Sequence, residues 1–485
     1  MRSGRIFRWV AIACGCALAG CAAPSRGDAA PPTATPSSSL PAGSVVIGVD
    51  PARPTGRIAP GFVGLSLEPF DLNSTLLDPA VANLSGFLSA LGPSRLRIGG
   101  TESGIYWQSD PSRPKPSWAR LVVTDASFVR LAALMARTGW RVDLGVGLAH
   151  DDPANAAAEV ADASLRLGPA LASVEIGNEP DLYATKGLRP AAYGYDDYQV
   201  EIDAYRRAIA AAAPGVAIAG PDTARSPAVT DWLDRYVAHE HAHIAFVTQH
   251  GYATTHCRGA RTSIAALLSA KTRARREAVF DALVESAQRF RVGARLDETN
   301  STSCGGQAGV SDRFASALWV VDDLLDAASR GVAGANVHGF LEACAGYTPL
   351  CADRVTRQIR AQPVFYGMVL VHLVGAGRFL RVSTPTGSDL GAYAVRRADN
   401  SVAVVVVNRD ADHARTVVIK GPGTRTARQL TLTAASLAAA DATLGGAHFE
   451  GDGSIAPATI AVPFGPAGYR VALRPGSVEV LTIPA

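Results

Sequence analysis

Beyond its first twenty residues the chain has no long hydrophobic run, and over its whole length it has no large excess of either charge. Residues 9–18 are apolar but too few to span a bilayer comfortably, and no later segment is long and apolar enough to do so. The formal net charge is only +3, and the basic run at 273–276 is typical of a solvated helix face. These absences argue against further membrane spans and against a nucleic-acid partner, which would require a clustered basic face.

The first twenty residues have the layout of a bacterial export signal. Three arginines, with no acidic residue, precede the apolar run at 9–18. The sequence Leu-Ala-Gly-Cys at 18–21 resembles a lipobox, in which residues 1–20 are removed and Cys21 is lipid-modified. An ordinary secretory signal cut nearby is the alternative, and both interpretations export the protein. We therefore expect a lipid-anchored protein of the bacterial cell envelope, held by the outer membrane, with a periplasmic or secreted protein as the alternative.

Residues 21–43 are rich in proline, serine, alanine and threonine and poor in large apolar side chains. Such a segment cannot bury enough apolar surface to offset the entropy lost on ordering it. We expect it to be a disordered tether between the anchor and the folded part of the chain.

The cysteine content favours disulfide bonds. Of the seven cysteines, two lie in the export signal and one is the predicted lipid site. The remaining four are Cys257, Cys304, Cys344 and Cys351. Because an even number in an oxidising compartment favours disulfides, we predict the pairs Cys257–Cys304 and Cys344–Cys351, the second of which closes a short loop. A zinc site is the alternative, but no Cys-x2-Cys spacing supports it, and no metal or other cofactor is expected.

Between about residues 57 and 378, short apolar runs alternate with amphipathic or alanine-rich stretches. The predicted strands are 61–67, 95–98, 141–147, 173–177, 216–219, 246–251, 294–297 and 334–338. Mostly apolar strands that alternate with helices indicate βα units around a parallel sheet. Eight such units in about 300 residues favour a closed (β/α)8 barrel. An open doubly wound sheet is the alternative, but no Gly-x-Gly-x-x-Gly follows the first strand.

After about residue 378 the pattern changes to short β-rich segments separated by Gly, Pro and Asp turns. These segments are 392–396, 401–407, 416–420 and 477–482. They predict a separate antiparallel β-sandwich over 379–485, and a strand within 44–56 is expected to join it. The sandwich is expected to be structural, with sugar binding as its alternative role.

Two glutamates occupy the ends of predicted barrel strands, where a (β/α)8 barrel places its catalytic groups. Glu179 follows the fourth strand, and Pro180 ends that strand because it cannot continue the ladder. Glu298 follows the seventh strand, and the alternative for it is a loop acid paired with Arg295. Two carboxylates on such strands can flank one glycosidic bond. A separation of about 5–5.5 Å would mean retained configuration, and about 6.5–9.5 Å would mean inversion.

The motifs around these glutamates resemble those of glycoside hydrolase family 79, within the large 4/7 clan of (β/α)8 glycosidases. Asn-Glu-Pro at 178–180, with a glutamate on strand seven, is similar to the clan. The segments similar to the family are Leu-Arg-Ile-Gly-Gly-Thr at 96–101, Glu-Thr-Asn-Ser-x-x-x-Gly-Gly at 298–306, Phe-Val-Gly-Leu-Ser-Leu-Glu at 62–68 and His-Gly-Tyr at 250–252. That family holds bacterial β-glucuronidases and heparanase and joins its barrel to a β-sandwich. The resemblance spans about residues 45–485.

The resemblance implies a role for each matching position. Glu179 would be the general acid and then the base, with its pKa raised toward neutrality, and Glu298 would be the nucleophile. Tyr252 would hydrogen-bond the nucleophile, and Asn178 would face the 2-hydroxyl of the sugar; for Tyr252 a place in the core is the alternative. The other positions implied in sugar binding are Glu68, Gly100, Thr101, Gly305, Gly306 and His338, the last with a core role as the alternative.

One position departs from the family's pattern. Five residues after the nucleophile, glucuronidases of the family tend to carry a tyrosine that helps to hold the uronate carboxylate, whereas this chain has Ser303 followed by Cys304. Backbone N–H groups of the next two glycines would remain for that carboxylate, and Arg258 and Arg354 lie in loops of the same face. We therefore expect a retaining exo-β-glycosidase specific for β-glucuronides, with neutral β-glycosides as the rival substrates. A non-catalytic carbohydrate-binding surface lipoprotein is the alternative of a different class.

Overall fold

The structure is a computed structural model that describes residues 44–485 except 109, 111, 113, 228 and 385–388. The predicted export signal, Cys21 and the tether over 21–43 lie outside the described residues. Within the described part, a closed barrel of eight parallel strands is followed by a large, mainly antiparallel sheet, which confirms the predicted fold class. None of the helices in this part combines the length and the apolar character needed to cross a bilayer.

The barrel strands are numbered one to eight in chain order. They are Val63–Leu67, Arg95–Ile98, Arg141–Val146, Leu171–Ile176, Ile218–Thr223, Ile244–Thr255, Gly293–Ser303 and Gly334–Gly339. Each strand pairs in parallel with its neighbour, and strand eight closes on strand one, with Ala335 opposite Val63. Parallel neighbours require crossover connections, and helices supply them.

The α-helices of the described residues bury apolar side chains. They are Leu84–Ala90, Asp125–Thr138, Pro153–Leu167, Tyr183–Lys186, Tyr195–Ala212, Trp232–Glu240, Ile264–Leu267, Ala270–Arg289, Ala315–Arg330 and Pro363–Val374. Short 3-10 turns lie at Pro69–Asn73, Thr75–Leu77, Gly168–Ala170, Pro180–Leu182 and Cys257–Gly259. In the helix after strand two, Phe128, Leu131 and Leu134 are buried at helical spacing, and the helix ends at Gly139 with a left-handed φ of 71°.

The interior of the barrel is polar instead of being filled with branched apolar side chains. Arg97 on strand two, Glu175 on strand four and Asp297 on strand seven are all fully buried. Their neighbours Leu96 and Leu296 belong to the apolar core that the strands share with the helices. Because buried charges are stable only when they are paired or neutralised, this interior points to a functional site.

The sheet that follows the barrel contains eleven strands within the described residues. They are Val45–Ile58, Gly377–Ser383, Leu390–Arg397, Val402–Asn408, Arg415–Lys420, Ala427–Thr433, Thr443–Leu444, Ile460–Val462, Phe464–Gly465, Gly468–Leu473 and Ser477–Ile483. The sheet is antiparallel except where Val45 lies opposite Val417 in a parallel pair, which the sequence did not predict. The strand Val45–Ile58 precedes the barrel in sequence, whereas the other strands of this sheet follow it. No hairpin therefore fixes its direction relative to Arg415–Lys420. Two separate pairs of short strands are Ile105–Trp107 with Leu121–Val123 and Leu350–Ala352 with Ile359–Ala361.

The sheet packs one face on the barrel and the other around a core of its own. In the strand Val402–Asn408, Val405 belongs to the core shared with the barrel and Val404 to the core of the sheet. A strand buried on both faces is expected to be apolar throughout, as this one is. The guanidinium of Arg409 lies 2.7 Å from Asp322 on a barrel helix, and this nearly buried ion pair ties the two parts together.

Candidate active site

Glu179 and Glu298 meet in a cavity of about 790 Å³ at the C-terminal end of the barrel strands. Glu298 belongs to strand seven, and Glu179 follows strand four. An oxygen of one carboxylate lies within 4.8 Å of an oxygen of the other, and His250 lies within the same distance of both. The two glutamates, 119 residues apart in the chain, therefore face one another across a space suited to a single bond.

The carboxylate of Glu298 is buried and fully engaged. Nη1 of Arg97 donates to Oε2 at 2.9 Å, and the hydroxyl of Tyr252 donates to Oε1 at 2.6 Å. His250 and His338 lie 3.7 and 3.9 Å from the same carboxylate. Burial alone would raise the pKa of Glu298, but the two histidines, Arg97 and the hydrogen bond from Tyr252 lower it far below its usual value. Glu298 is therefore ionised at ordinary pH, which is the state that a nucleophile requires.

Glu179 has a left-handed backbone with φ of 53°, an uncommon conformation for a residue with a side chain. Nζ of Lys186 donates to its Oε2 at 2.7 Å, and Nδ1 of His250 lies 3.3 Å from its Oε1. Burial would raise the pKa of Glu179, but the hydrogen bond and charge of His250 and the charge of Lys186 lower it below its usual value. The raised pKa implied by the resemblance is thus not what the structure shows, because His250 from strand six and Lys186 from the short helix after Glu179 both lie at its carboxylate.

The floor of the cavity is formed at the ends of strands one, two and eight. Oε2 of Glu68 accepts a hydrogen bond from the backbone N–H of Thr101 at 2.8 Å. Nε2 of His338 lies 3.3 Å from Oε1 of Glu68, while its Nδ1 lies 2.8 Å from the hydroxyl of Ser66. Gly100 has a φ of 145°, and a Cβ there would lie 2.5 Å from the Glu68 carboxylate. A side chain at position 100 would be strained at this φ and would displace the carboxylate of Glu68.

Asn178 lines the cavity next to Glu179. Its Oδ1 accepts a hydrogen bond from Nη2 of Arg97 at 3.0 Å, so its amide nitrogen is turned away from the guanidinium. Arg97 thereby orients two groups at once, the side chain of Asn178 and the carboxylate of Glu298. The arrangement leaves the amide of Asn178 as a hydrogen-bond donor for a ligand.

The loop after strand seven forms another wall of the cavity. Ser303, Cys304 and Gly305 line it, and Cys304 is bonded to Cys257 with Cα atoms 5.3 Å apart. The second disulfide joins Cys344 and Cys351, so both pairs are those expected from the sequence. A Cβ at Gly306 would lie 2.5 Å from the backbone nitrogen of Tyr347. Gly306 therefore packs against the loop around residues 346–347 and does not line the cavity, in contrast to the sugar-binding position expected for it.

The cationic side chains that line the cavity are not the arginines considered from the sequence. Neither Arg258 nor Arg354 lines it, whereas Lys186 and Arg275 do. Lys186 is 40% exposed and already contacts Glu179. The guanidinium of Arg275 donates a hydrogen bond to the backbone carbonyl of Ala253. The cavity thus offers two cations near its rim to an acidic ligand.

Four residues of the site were not assigned a role from the sequence: Arg97, His250, Lys186 and Tyr347. Arg97 and His250 lie inside motifs that were recognised, and a charged residue between two apolar strand positions was the available signal for Arg97. Tyr347 lines the cavity with its ring centroid 5.8 Å from that of Tyr252. Tyr347 comes from the loop after strand eight, and nothing local in the sequence distinguishes it from a core tyrosine.

Within the described residues, carboxylates and histidines lie close enough to hold a cation at three places: Asp203, His239 and Glu240 on two helices away from the cavity, and two groups among the barrel strands. One group is Glu179, His250 and Glu298, and the other replaces the glutamates by Asp222 and Asp297. The guanidinium of Arg97 lies within 3.3 Å of carboxylates in both groups. A fixed positive charge at that distance opposes a metal ion, so the arrangement is better suited to acid–base chemistry.

The chain is similar to known glycosidases in sequence and in fold. It is 30% identical over 267 residues to a curated β-glucuronidase of Aspergillus niger. The aligned region covers 50% of this chain and 48% of that protein. This chain therefore spans about half the length of the curated relative that it matches. No family model matches the chain.

Two solved structures show the same fold. A 4-O-α-L-rhamnosyl-β-D-glucuronidase from Fusarium oxysporum superposes with a TM-score of 0.73 at 18% identity, over 90% of this chain and 100% of that one. A family 51 arabinofuranosidase from Xanthomonas axonopodis pv. citri superposes with a TM-score of 0.67 at 16% identity, over 91% and 100% of the two chains. Both likenesses establish the architecture, a (β/α)8 barrel with an appended sheet domain.

Proposed function

We propose that this protein is a retaining β-glycosidase in which Glu298 is the nucleophile and Glu179 the general acid and base. The observation that carries the proposal is the approach of the two carboxylates to within 4.8 Å at the barrel mouth. So close an approach favours direct attack by a carboxylate, since inverting enzymes need room for a water molecule between their two carboxyl groups. The similarity to a β-glucuronidase of Aspergillus niger supports the reaction class.

In the proposed reaction Glu298 forms the bond to the sugar, and Glu179 transfers the protons. Glu298, kept ionised by Arg97 and Tyr252, attacks the anomeric carbon as the bond to the leaving oxygen breaks. Glu179 delivers a proton to that oxygen, and a glycosyl ester of Glu298 results. Water then attacks the ester and gives its proton to Glu179, so the sugar leaves with its original configuration and both carboxyl groups are restored.

The leading substrate class is a terminal β-linked glucuronic acid. Two relatives support it, because the curated protein and one solved structure are glucuronidases by name. The backbone N–H of Gly305 and the cations Lys186 and Arg275 lie along the same cavity and are suited to a carboxylate. The proposal includes exo action, the removal of this terminal sugar.

A neutral β-glycoside is the second candidate for the sugar, and two observations favour it. Gly306 packs away from the cavity, and Lys186 is engaged by Glu179. Both features reduce the number of donors free to hold a uronate. Hydrolysis of a matched pair, a 4-nitrophenyl β-glucuronide and the corresponding β-glucoside, decides between the two substrate classes.

The reaction is tested with the Glu298→Gln variant and by the stereochemistry of the product. We expect wild-type hydrolysis of a β-glycoside, at least a ~10³-fold loss in the variant, and the β-anomer as the first product in a proton NMR time course. Circular dichroism of the variant checks that it is folded. First release of the α-anomer would contradict the retaining mechanism. Equal inactivity of both proteins on a panel of β-glycosides would favour a carbohydrate-binding protein.

We further propose that the chain is exported and held in the cell envelope by a lipid on Cys21. The support is the lipobox-like sequence at 18–21 and the tether-like composition of residues 21–43. Expression of the full chain and of its Cys21→Ser variant in a bacterial host, followed by fractionation, tests the proposal. We expect the first in the membrane fraction and the second outside it, and an identical distribution would contradict lipid anchoring.

A further inference from the structure

One guanidinium group faces four buried carboxyl groups beneath the cavity. Arg97 lies 2.7 Å from Glu175, 2.9 Å from Glu298 and 3.3 Å from both Asp222 and Asp297. All five side chains are less than a tenth exposed. A single positive charge cannot offset four negative charges in such surroundings, so some of these carboxyl groups hold protons in the resting protein.

The hydrogen bonds indicate where one of these protons lies. Asp222 accepts a hydrogen bond from the hydroxyl of Thr248, whereas neither oxygen of Asp297 accepts one from any described residue. Burial, together with the charge of Asp222, raises the pKa of Asp297 well above its usual value. Burial would also raise the pKa of Asp222, but the charges of Arg97 and His250 and the hydrogen bond from Thr248 lower it. An oxygen of Asp222 lies within 4.8 Å of one of Asp297, and the opposite directions of the two shifts favour Asp297 as the member of this pair that holds a proton.

His250 connects this pair to the proposed general acid. Its Nδ1 lies 3.3 Å from Oε1 of Glu179, and its Nε2 lies 4.0 Å from Oδ2 of Asp297. Arg97 lies 3.3 Å from Nε2 and Glu298 lies 3.7 Å from Nδ1, and an oxygen of Asp222 lies within 4.8 Å of the ring. An imidazole can accept a proton at one nitrogen while it releases one from the other, so a ring in this position can pass a proton between two carboxyl groups.

We propose that the proton held by Asp297 is the proton that the leaving group receives, and that it travels through His250 and Glu179. Nε2 of His250 takes the proton of Asp297 as Nδ1 gives its own proton to Glu179. Glu179 in turn protonates the leaving oxygen while the glycosidic bond breaks. The 4.0 Å contact has to shorten in the substrate complex, as catalytic hydrogen bonds commonly do. This inference rests on the proposed glycosidase function.

The charge balance around Arg97 supports the direction of the transfer. Formation of the glycosyl ester removes the negative charge of Glu298 beside the guanidinium. Release of the proton of Asp297 restores one negative charge, on that aspartate, beside the same guanidinium. The buried cluster therefore keeps its net charge throughout the first half-reaction. In the second half, the proton of the attacking water returns by the same route as Glu298 regains its charge.

The proposal also accounts for the ionised state of Glu179. A general acid is expected to hold its proton before the reaction, yet His250 and Lys186 hold the pKa of Glu179 below its usual value, against the effect of burial. A proton stored nearby removes this difficulty, because Glu179 then needs to carry the proton only during transfer. His250, Asp222 and Asp297 are in this account positioning and proton-supplying residues that do not touch the sugar.

The test is the dependence of the rate on the leaving group in the Asp297→Asn variant. We expect kcat/KM to fall about 10²-fold or more for a glycoside with a poor, alkyl leaving group, and only a few-fold for a 2,4-dinitrophenyl glycoside, which needs little protonation. The matched control is Glu175→Gln, which alters another buried carboxyl group on Arg97. It should lower both rates by the same factor. A loss in Asp297→Asn that is equal for both leaving groups would overturn the relay, because it would reveal a structural role only.

Infrared spectroscopy provides a second measurement, which does not depend on glycosidase activity. The infrared difference spectrum of wild type minus Asp297→Asn at neutral pH should contain the carbonyl stretch of a protonated carboxyl group. If the variant does not fold, the wild-type solvent isotope effect in mixtures of light and heavy water decides instead. A curved dependence of the rate on the fraction of heavy water supports the transfer of several protons in one step, and a linear dependence overturns the relay. A missing infrared band in an active enzyme overturns only this inference, whereas inactivity on every β-glycoside overturns the proposed function as well.

Discussion

Nζ of Lys186 lies 2.7 Å from Oε2 of Glu179, although the two residues are separated by a proline-started turn and a short helix. Lys186 is the last residue of the helix Tyr183–Lys186, and the chain then reverses at Gly187 with a φ of 71°. The turn carries the lysine back over the end of strand four. Glu179, which protonates the leaving group in the proposed reaction, is thus held in its ionised form by the partly exposed Lys186.

Replacement of Lys186 by Met should raise the pKa of Glu179, because a positive charge that stabilises the carboxylate is lost. Because Glu179 exchanges its proton with the buried aspartates through His250 in the proposed relay, a higher pKa there raises the pH at which the connected groups lose that proton. We therefore expect the alkaline limb of the kcat/KM profile to move to higher pH on a neutral β-glycoside. Arg275→Met, which removes the other cation of the cavity wall, is the control. If the alkaline limb does not move in Lys186→Met, the ion pair does not determine the pKa that limits the reaction at high pH.

Replacement of Tyr252 by Phe removes the hydroxyl that donates to Oε1 of Glu298 at 2.6 Å. The pKa of Glu298 should rise, and since the carboxylate form is the reactive one, the acid limb of the pH profile should move to higher pH. A hydrogen bond to a charged group contributes roughly 1.5–3 kcal/mol, so we expect a loss of about 10- to 100-fold in kcat. Tyr347→Phe, on the neighbouring ring, should cost less, and the reverse order would assign the main contact to Tyr347.

Replacement of Gly100 by Ala should damage both the fold and the site. The new Cβ would lie 2.5 Å from the Glu68 carboxylate, and the alanine would have to adopt a backbone φ of 145°. We expect a loss of about 1–3 kcal/mol in the free energy of unfolding, measured in urea, together with a raised KM. Gly187→Ala is the matched control, since its φ is also positive but nothing lies within 4 Å of the Cβ position. Equal losses in the two variants would mean that backbone strain alone, and not contact with Glu68, determines the effect.

Removal of the Cys257–Cys304 disulfide by a double serine substitution should destabilise the cavity wall after strand seven. The bond closes a loop with a sequence separation of 47, compared with 7 for Cys344–Cys351. Chain-entropy arguments assign more stabilisation to the longer loop, and we expect a loss of about 2–4 kcal/mol for it and less for the shorter one. Thermal unfolding of the two double variants without reductant compares them. A larger loss from the short loop would contradict the entropic argument.

The eight barrel strands were predictable because each is a short apolar run between turn residues, and the predicted and observed strands correspond one to one. Strands six and seven nevertheless extend beyond their predicted ends, to Thr255 and Ser303. Their additional residues, Tyr-Ala-Thr-Thr at 252–255 and Glu-Thr-Asn-Ser-Thr-Ser at 298–303, are mostly polar and form no apolar run. They become strand through mutual pairing, as where Thr302 lies opposite Thr254. Such pairing is a tertiary event that local composition does not reveal.

The positions of Glu179 and Glu298 followed from the sequence, whereas their protonation states did not. The strand ends of a parallel barrel all face one way, so a strand assignment alone places both glutamates at one mouth. The lowered pKa of Glu179 depends, against the opposing effect of burial, on His250, which belongs to strand six, and on Lys186, which a turn returns to the site. Burial and the approach of charges from distant segments decide a pKa, and neither can be read from neighbouring residues.

By itself the sequence determined the barrel, the appended sheet, the two disulfide pairs and the two glutamates that face each other. These features depend on local patterns of apolar residues, turns and spacing, which the chain carries in order. Only the tertiary structure decided that Arg97 gathers four buried carboxyl groups, Glu175, Asp222, Asp297 and Glu298, beneath the cavity. The physical reason is that electrostatic energy depends on distances through space and on exclusion of water, and both exist only once the barrel has closed.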